Sequence, residues 1–461
     1  MGVGRNRQAV AATAVGVGGL VTSLAMGFTS PALPKMANDP DFHMTDDQAS
    51  WIGSVMPAMA LLGSLASGPL VDNLGRRITL ILLMVPFAIS WSCIAMASSV
   101  VGVIVGRMIG GFCVGIQAVA GSVFLPEILS LQNRNLNAIP AFLGPLGLLV
   151  TFVLGSALSW RSLSWMGAVM CVPAILLLLQ LPETPYYLTF TGRRDDSVSA
   201  LNYLRESSSE TEKEQNELDI SINSSKSGKD KNKVTISDCF VSPNLWPVTV
   251  AMGLMVAQQT TGINAVIFYA SNIFKMAGAG VDGDKASMLL GVCNMLATLL
   301  GITLLGMYNR KILIKWSSQG VLVSLLTLSM YFIAREKGGY WTTLSESVSF
   351  IPLVGLLTYI FAFAVGWGPI PWVFLGEGLP SSVRGLATSV VVAVNWGFAF
   401  VITKTFSWFI DSLGIHYTFM IYAVLTAICQ MFLESSMPET FGKSVMEMDQ
   451  LYQDEATKKE K

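Results

Sequence analysis

The sequence predicts an all-α membrane protein, with twelve transmembrane helices in two six-helix halves. Three observations carry that prediction. Of 461 residues, 52% are hydrophobic and only 13% charged, against about 25% charged in a soluble domain. A helix that crosses a bilayer needs roughly 20 mostly apolar residues, and twelve such stretches can be drawn. They are 9–29, 51–71, 78–98, 101–126, 137–158, 163–182, 246–270, 285–308, 312–334, 348–377, 383–410 and 415–437. Third, polar signatures that follow the second, fourth and sixth stretches recur after the eighth, tenth and twelfth.

The elements in order support this reading. Arg5 and Arg7 precede an apolar run to about residue 29 that lacks a small-residue cleavage site. It reads as a first membrane helix rather than a removed signal peptide. The loop at 30–50 carries Asp39, Asp41, Asp46 and Asp47. Most Lys and Arg residues fall in connections on one side if both termini are cytoplasmic, which the positive-inside rule favours. Residues 183–243 are rich in Ser, Lys and Asn and read as a solvated cytoplasmic linker with short amphipathic helices. The expected organisation is thus 1–182, a six-helix bundle; 183–243, the linker; 244–437, a second bundle; and 438–461, a polar tail with a poorly ordered end. The triplet Asn223-Ser224-Ser225 falls in the linker, where glycosylation is not expected.

The halves echo each other. PLVDNLGRR at 69–77 has a degraded counterpart in LLGMYNRK at 304–311. LPEILSLQNR at 125–134 matches LGEGLPSSVR at 375–384, and LPETPYY at 181–187 matches MPETFGK at 437–443. This is the mark of a duplicated six-helix unit.

Composition also excludes. The net charge of −1 suggests no nucleic-acid partner. His43 and His416 form no metal motif, and the six cysteines have neither zinc spacing nor a secreted disulfide pattern. There is no phosphate-binding G-x-x-x-x-G-K-[ST], and no nucleophile or acid pair is visible. No cofactor, metal or enzymatic role is expected.

The stretch 253–274 is apolar enough to cross a bilayer, yet carries Gln258, Gln259, Thr260, Thr261 and Asn264. Amides in hydrocarbon cost free energy unless bonded. On an ideal helix Gln258 and Asn264 lie about 120° apart, so they converge only if the helix bends near Gly262. Asn294 adds an amide to the eighth span and Asn395 one to the eleventh. Amides both donate and accept, as the hydroxyls of a polyol do. Helix–helix glue is the other reading of each amide alone; five across three helices favour a binding site. GWGPIPW at 366–372 puts two prolines inside an apolar run, and interrupted helices line transporter sites. Trp367, Trp372 and Trp396 supply aromatic faces. Trp51 and Trp246, near span ends, read as interface-belt residues.

At the cytoplasmic ends stand Asp72, Arg76, Glu127, Arg134 and Glu183, then Glu377, Arg384 and Glu439. Opposite charges there pair between helices as a nearly balanced gate. Arg107, inside span four, has two open readings: a partner or wet cavity, or snorkelling to the interface. Residues 9–36 and 246–281 contain no Asp or Glu. A proton-coupled carrier needs a titratable group near its path, so passive movement is the simplest inference.

PLVDNLGRR, GRMIGGFCVG, the two PET motifs, QQTTGINAVIFY and GPIPW together resemble the sugar porter family of the major facilitator superfamily, over essentially the whole chain. SWIGSVMP, GFCVGI, GINAVIFY and NWGFAFVITKTF look most like insect facilitated trehalose transporters. The resemblance implies two bundles rocking around a central sugar in the plasma membrane, with the lipid bilayer as surroundings and a monomer sufficient. It also implies residue roles. Gln258, Gln259, Asn264, Asn294 and Asn395 would bond sugar hydroxyls, and Trp372 would pack on the ring. Tyr269 would belong to the outer gate, with the charged residues above forming the inner one. The Asp that pairs with the arginine of proton-coupled relatives is missing from span one.

Several departures stand out. Span five has no Gln, and Phe142 sits near its expected place, so 253–274 is expected to carry more of sugar recognition. Gly306, Met307, Tyr308 and Asn309 replace most of the second repeat's charged motif, which predicts a looser inner gate in that half. Asn135 replaces a Gly, and Tyr186 a basic residue. The reading is therefore a facilitative sugar carrier of the trehalose or glucose class. A proton-coupled symporter and a non-transporting sugar receptor are the rivals.

Overall fold

The computed structural model describes residues 3–227, 235–277, 283–337, 348–380, 383–443 and 445–459. Among these, twelve helices are long and apolar enough to span a bilayer. They are α1 Val3–Ala37, α2 Asp46–Leu74, α3 Arg76–Ala95, α4 Val100–Ile128, α5 Gln132–Ala157, α6 Trp160–Leu179, α7 Leu245–Phe268, α8 Lys285–Leu305, α9 Arg310–Glu336, α10 Ile351–Glu377, α11 Arg384–Leu413 and α12 Ile415–Ser436. All twelve sequence stretches have a counterpart. The sixth lies a few residues earlier than drawn, because the Ser159 hydroxyl caps its start by accepting from Ser162 N. Exposed side chains on α3 (Leu82, Val85, Ile89) and α6 (Val172, Leu176, Leu179) are apolar, as a lipid-facing surface requires.

Lipid offers no hydrophobic drive between helices, so close backbone approach must supply it. In the first half α2 lies along α4. A Cβ at Gly111 would overlap the carbonyl oxygen of Met56, and one at Gly115 that of Ala60. Only glycine permits that approach.

The halves meet where α2 runs along α11 and α5 along α8. The end of the molecule that carries residues 183–227 is called the linker end, and the opposite one the far end. At the far end polar contacts between described residues join the halves. Lys404 Nζ donates to Asp47 Oδ1 at 3.0 Å. Thr29 Oγ1 donates to the Phe268 carbonyl at 3.4 Å, and Ser271 N to Ser30 Oγ at 3.3 Å. Lys404 Nζ also lies 4.2 Å from the centre of the Trp51 ring.

The linker is less solvated than its composition suggests. Helices Pro185–Phe190, Arg194–Leu204 and Ser208–Ser227 precede residues 228–234, which lie outside the described set. The start of α1 clasps the second of them. Gln8 Nε2 donates to the Leu204 carbonyl and Arg7 Nη1 to that of Tyr203, both at 2.8 Å. Arg205 reaches the Ile128 carbonyl at 2.9 Å. The tail also departs from expectation. Val445–Lys459 is helical, with Met448 and Tyr452 buried, and Tyr452 Oη donates to the Gly378 carbonyl at 2.6 Å. Two buried side chains one turn apart are enough to anchor it.

Candidate functional site

Helix α7 breaks where the amides cluster. Its first piece ends at Thr260 and its second runs Ile263–Phe268. Between them Gly262 has φ +87°, a left-handed conformation that costs other residues energy. The ring of Tyr422 packs onto it: an added Cβ would stand 2.7 Å from that ring. A break frees backbone groups that lipid cannot satisfy. Here Tyr359 Oη donates to the Thr261 carbonyl at 3.0 Å, and Thr261 Oγ1 to that of Gln258 at 2.7 Å.

Helix α10 is broken too, into Ile351–Val365 and Ile370–Glu377. The carbonyl of Trp367 would normally accept from residue 371, but Pro371 has no N–H. Gln258 replaces that donor. Its Nε2 reaches the Trp367 carbonyl at 2.7 Å and that of Gly368 at 3.1 Å. One amide of the α7 break thus satisfies the α10 break.

Four amides then form one chain. Asn395 Nδ2 of α11 donates to Gln258 Oε1 at 2.9 Å. Gln259 Nε2 donates to Asn395 Oδ1 at 3.1 Å, and Asn264 Nδ2 to Gln259 Oε1 at 2.6 Å. All four are buried. The break therefore lets Asn264 reach back, but to Gln259 rather than to Gln258. The structure brings these four predicted residues together. Asn294 stands apart, half-buried on α8. Trp372 is half-buried on the second piece of α10. Trp367 and Trp396 are buried with unpartnered indole N–H groups. Amides, hydroxyls and indoles at two facing helix breaks, with no charged side chain among them, suit a neutral ligand rich in hydroxyl groups.

The charged residues divide into two similar clusters at the linker end. In the first half Arg76 Nε lies 3.1 Å from Glu127 Oε2 and Arg76 Nη1 3.7 Å from Asp72. Glu183 accepts from the backbone N–H of Arg76 and of Arg77 at 3.1 and 3.0 Å, capping α3. Thr184 Oγ1 donates to Glu127 at 2.6 Å. In the second half Arg310 Nη2 pairs with Glu377 Oε1 at 2.9 Å. Glu439 accepts from the N–H of Arg310 and of Lys311 at 3.0 and 3.1 Å, capping α9. Thr440 Oγ1 donates to Glu377 at 2.8 Å.

The two sets share an arginine–carboxylate pair, a carboxylate on two backbone N–H groups and a threonine hydroxyl, and only Asp72 lacks a counterpart, so the expected loosening of the second half is not seen. Arg310 alone retains the contacts, because the lost residues of its motif are not the ones that touch the carboxylates. Arg134 and Arg384 lie elsewhere. Arg134 is exposed on a short turn of helix. Arg384 donates to the Leu379 carbonyl at 3.2 and 2.9 Å. Tyr186, in place of a basic residue, sets its ring 5.7 Å from the Arg76 guanidinium, and burial pushes its hydroxyl up.

Toward the far end Arg107 is buried and donates to two carbonyls, Ala25 at 2.5 Å and Ile52 at 3.2 Å. Tyr269 closes over the next residue, Gly53, where a Cβ would stand 2.8 Å from the Tyr269 hydroxyl. Above it a cavity of about 780 Å³ opens between the halves, lined among others by Tyr269, Phe406, Trp408, Asn272, Asp47 and Lys404.

Sequence reasoning missed Arg310, which stands in the degraded motif, and Tyr359, one more tyrosine in an apolar span. It also missed Gln117, although an amide in mid-span was the signal used for its counterparts in α7.

Residues 11–452 match the model of the family described as "Sugar (and other) transporter", and the chain belongs to that family. A facilitated trehalose transporter of Polypedilum vanderplanki is 37% identical over 445 residues, 96% of this chain and 87% of that one. The Bombyx mori facilitated trehalose transporter is 38% identical over 96% of this chain and 86% of its own length. The corresponding protein of Drosophila willistoni is 37% identical, and the chain spans about half (50%) of its length. Among solved structures, a proton:xylose symporter of the major facilitator superfamily, bound to 6-bromo-6-deoxy-D-glucose, superposes with a TM-score of 0.80 at 21% identity. It covers 96% of this chain and 98% of its own. The inward-open xylose transporter of E. coli gives 0.75 at 20% identity, over 95% and 98% of the two chains. At such identities these two bear on the fold alone, which is that of the major facilitator superfamily.

Proposed function

We propose that this member of the sugar transporter family is a facilitative carrier of a neutral sugar of the trehalose or glucose class. It works by alternating access in the plasma membrane, with the linker end and both termini cytoplasmic. The amide chain of Gln258, Gln259, Asn264 and Asn395 at the facing breaks of α7 and α10 carries the reading. Those groups now bond one another and two free carbonyls. A sugar hydroxyl both donates and accepts, so it would insert by exchanging bonds rather than by leaving buried groups unpaired. Trp372 on the kinked helix would pack on the ring, and Asn294 would join when the halves rearrange. Passive transport is supported by the lack of acids in 9–36 and 246–281 and by the carbonyl, not carboxylate, partners of Arg107. The trehalose transporters among its relatives support the substrate class.

In this reading the two linker-end clusters act within the bundles 1–182 and 244–437, holding three helix ends together so that each half moves as one body. Arg134 and Arg384 would enter the gate only in another state of the cycle. Tyr269 seals the far end. The protein acts as a carrier and not as an enzyme.

The test is uptake of radiolabelled trehalose, glucose and fructose in oocytes, with and without a pH gradient. Saturable uptake that is indifferent to the gradient is expected. Surface-expressed protein that moves none of the three sinks the carrier reading; uptake that follows the gradient, with proton current, replaces it by symport.

A further inference from the structure

We infer that Gln117 of α4, with Thr22 of α1, forms the first half's side of the sugar site, in place of the amide absent from the fifth span. The inference rests on the carrier reading above and adds residues to it. Among the amides of α1–α6, Gln117 alone lies more than two turns from either end of its helix. It sits about midway along α4, as Gln258 does along α7. Both are therefore near the same depth.

Gln117 is 6% exposed, and its Oε1 has no hydrogen-bond partner. A buried acceptor left unmade is costly, above all where no water can reach it. Its amide nitrogen lies tightly against Gly18 of α1, where any Cβ would overlap it. One turn along α1, Thr22 Oγ1 is a second buried polar atom without a partner. Gly19, three residues before Thr22 and about 100° round α1 from Gly18, lies beside them. A Cβ at Gly19 would meet no atom within 4 Å.

An unmade acceptor, an unmade hydroxyl and open space stand within one turn of α1 at mid-depth. The amides of α7 and α11 are already bonded to each other; these two groups are not. Helix–helix glue does not account for Gln117, since its oxygen bonds nothing on α1. A ligand hydroxyl donating to Gln117 Oε1 and meeting Thr22 Oγ1 would complete both.

The experiment compares wild type, Gln117→Leu and Thr22→Val in sugar uptake, using the parent sugar and a series of its monodeoxy analogues. Gln117→Leu is expected to raise the half-saturation concentration about ten-fold at unchanged surface level. One deoxy analogue should be penalised in wild type but not further in Gln117→Leu, while Gln258→Leu still discriminates against it. A merely structural role would lower uptake of every analogue alike. If Gln117→Leu fails to reach the surface, the near-isosteric Gln117→Met and Thr22→Val carry the same comparison. Wild-type half-saturation in the variants, or equal penalties across the whole series, overturns the inference while leaving the carrier reading intact. Absence of saturable uptake by wild type overturns both.

Discussion

Gly262→Ala tests whether the break in α7 organises the site. Two independent costs follow from the geometry. The left-handed φ of +87° costs an L-residue about 1–2 kcal/mol. The new Cβ stands 2.7 Å from the Tyr422 ring, and overpacking of that kind costs about 1–3 kcal/mol. Together they give about 2–5 kcal/mol, a large share of an ordinary domain's stability. If α7 straightens to relieve the strain, Asn264 loses its reach to Gln259 and uptake falls. The assay is thermal unfolding of purified protein by size-exclusion, read beside uptake. Gly376→Ala is the control, because its added Cβ meets nothing within 4 Å, and a change under about 0.5 kcal/mol is expected there. A double substitution with Tyr422→Ala separates the costs. It should recover the steric part, so that the two losses are less than additive. Wild-type stability and uptake in Gly262→Ala, or strictly additive losses in the double variant, would refute the reasoning.

Three further outcomes are expected. Arg310→Met leaves Glu377 without its cation and should cost about 1–3 kcal/mol, below the 3–5 of a fully buried pair because Glu377 is 32% exposed. Arg134→Met should change unfolding by under about 0.5 kcal/mol; equal effects would show that the clusters are misassigned. Lys404→Glu breaks the far-end pair with Asp47, whose side chain is 76% exposed, so the loss is under about 1 kcal/mol. It should speed labelling of a Thr29→Cys thiol from the far face by up to about five-fold, and adding Asp47→Lys should slow it again. Asp39 is held below the ordinary carboxylate range by the Trp160 N–H at 2.9 Å, by the backbone of Asp41 and by Arg161 at 2.8 Å. Its folded value lies below its unfolded one, so its contribution is complete above the unfolded value and lost as pH falls through the folded one. Unfolding midpoints should therefore drop on acidification below about pH 4, and Asp39→Asn should remove that part of the slope.

The fold was legible because its signals are long-range averages. Twenty apolar residues in a row mean a span whatever their order, and each of the twelve has one. The broken helices were legible for a local reason: Pro369, Pro371 and Gly262 change what the backbone can do. Partners were not legible. Nothing in the sequence tells that Gln258 would donate to the Trp367 carbonyl, 109 residues on, or that Asn264 would turn to Gln259. Composition also misled at 183–227 and 445–459. A few side chains, Gln8, Arg205 and Tyr452 among them, dock segments that are polar on average.

The second charge cluster gives the sharper lesson. Counting charges in LLGMYNRK suggests decay, since the acid and glycine of PLVDNLGRR are gone. The geometry weighs them differently. Asp72, the acid with no counterpart, is 71% exposed and 3.7 Å from Arg76, so screening leaves it little to contribute. Glu183 and Glu439 each spend their oxygens on backbone N–H groups, which any residue supplies. What the cluster needs from its motif is one guanidinium, reaching the carboxylate of the tenth or fourth span, and Arg310 and Arg76 both provide it. A motif can therefore lose most of its letters and keep its contacts, provided the losses fall on exposed charges. By the same argument, replacing Arg310 should do more harm than all the natural departures in that loop together.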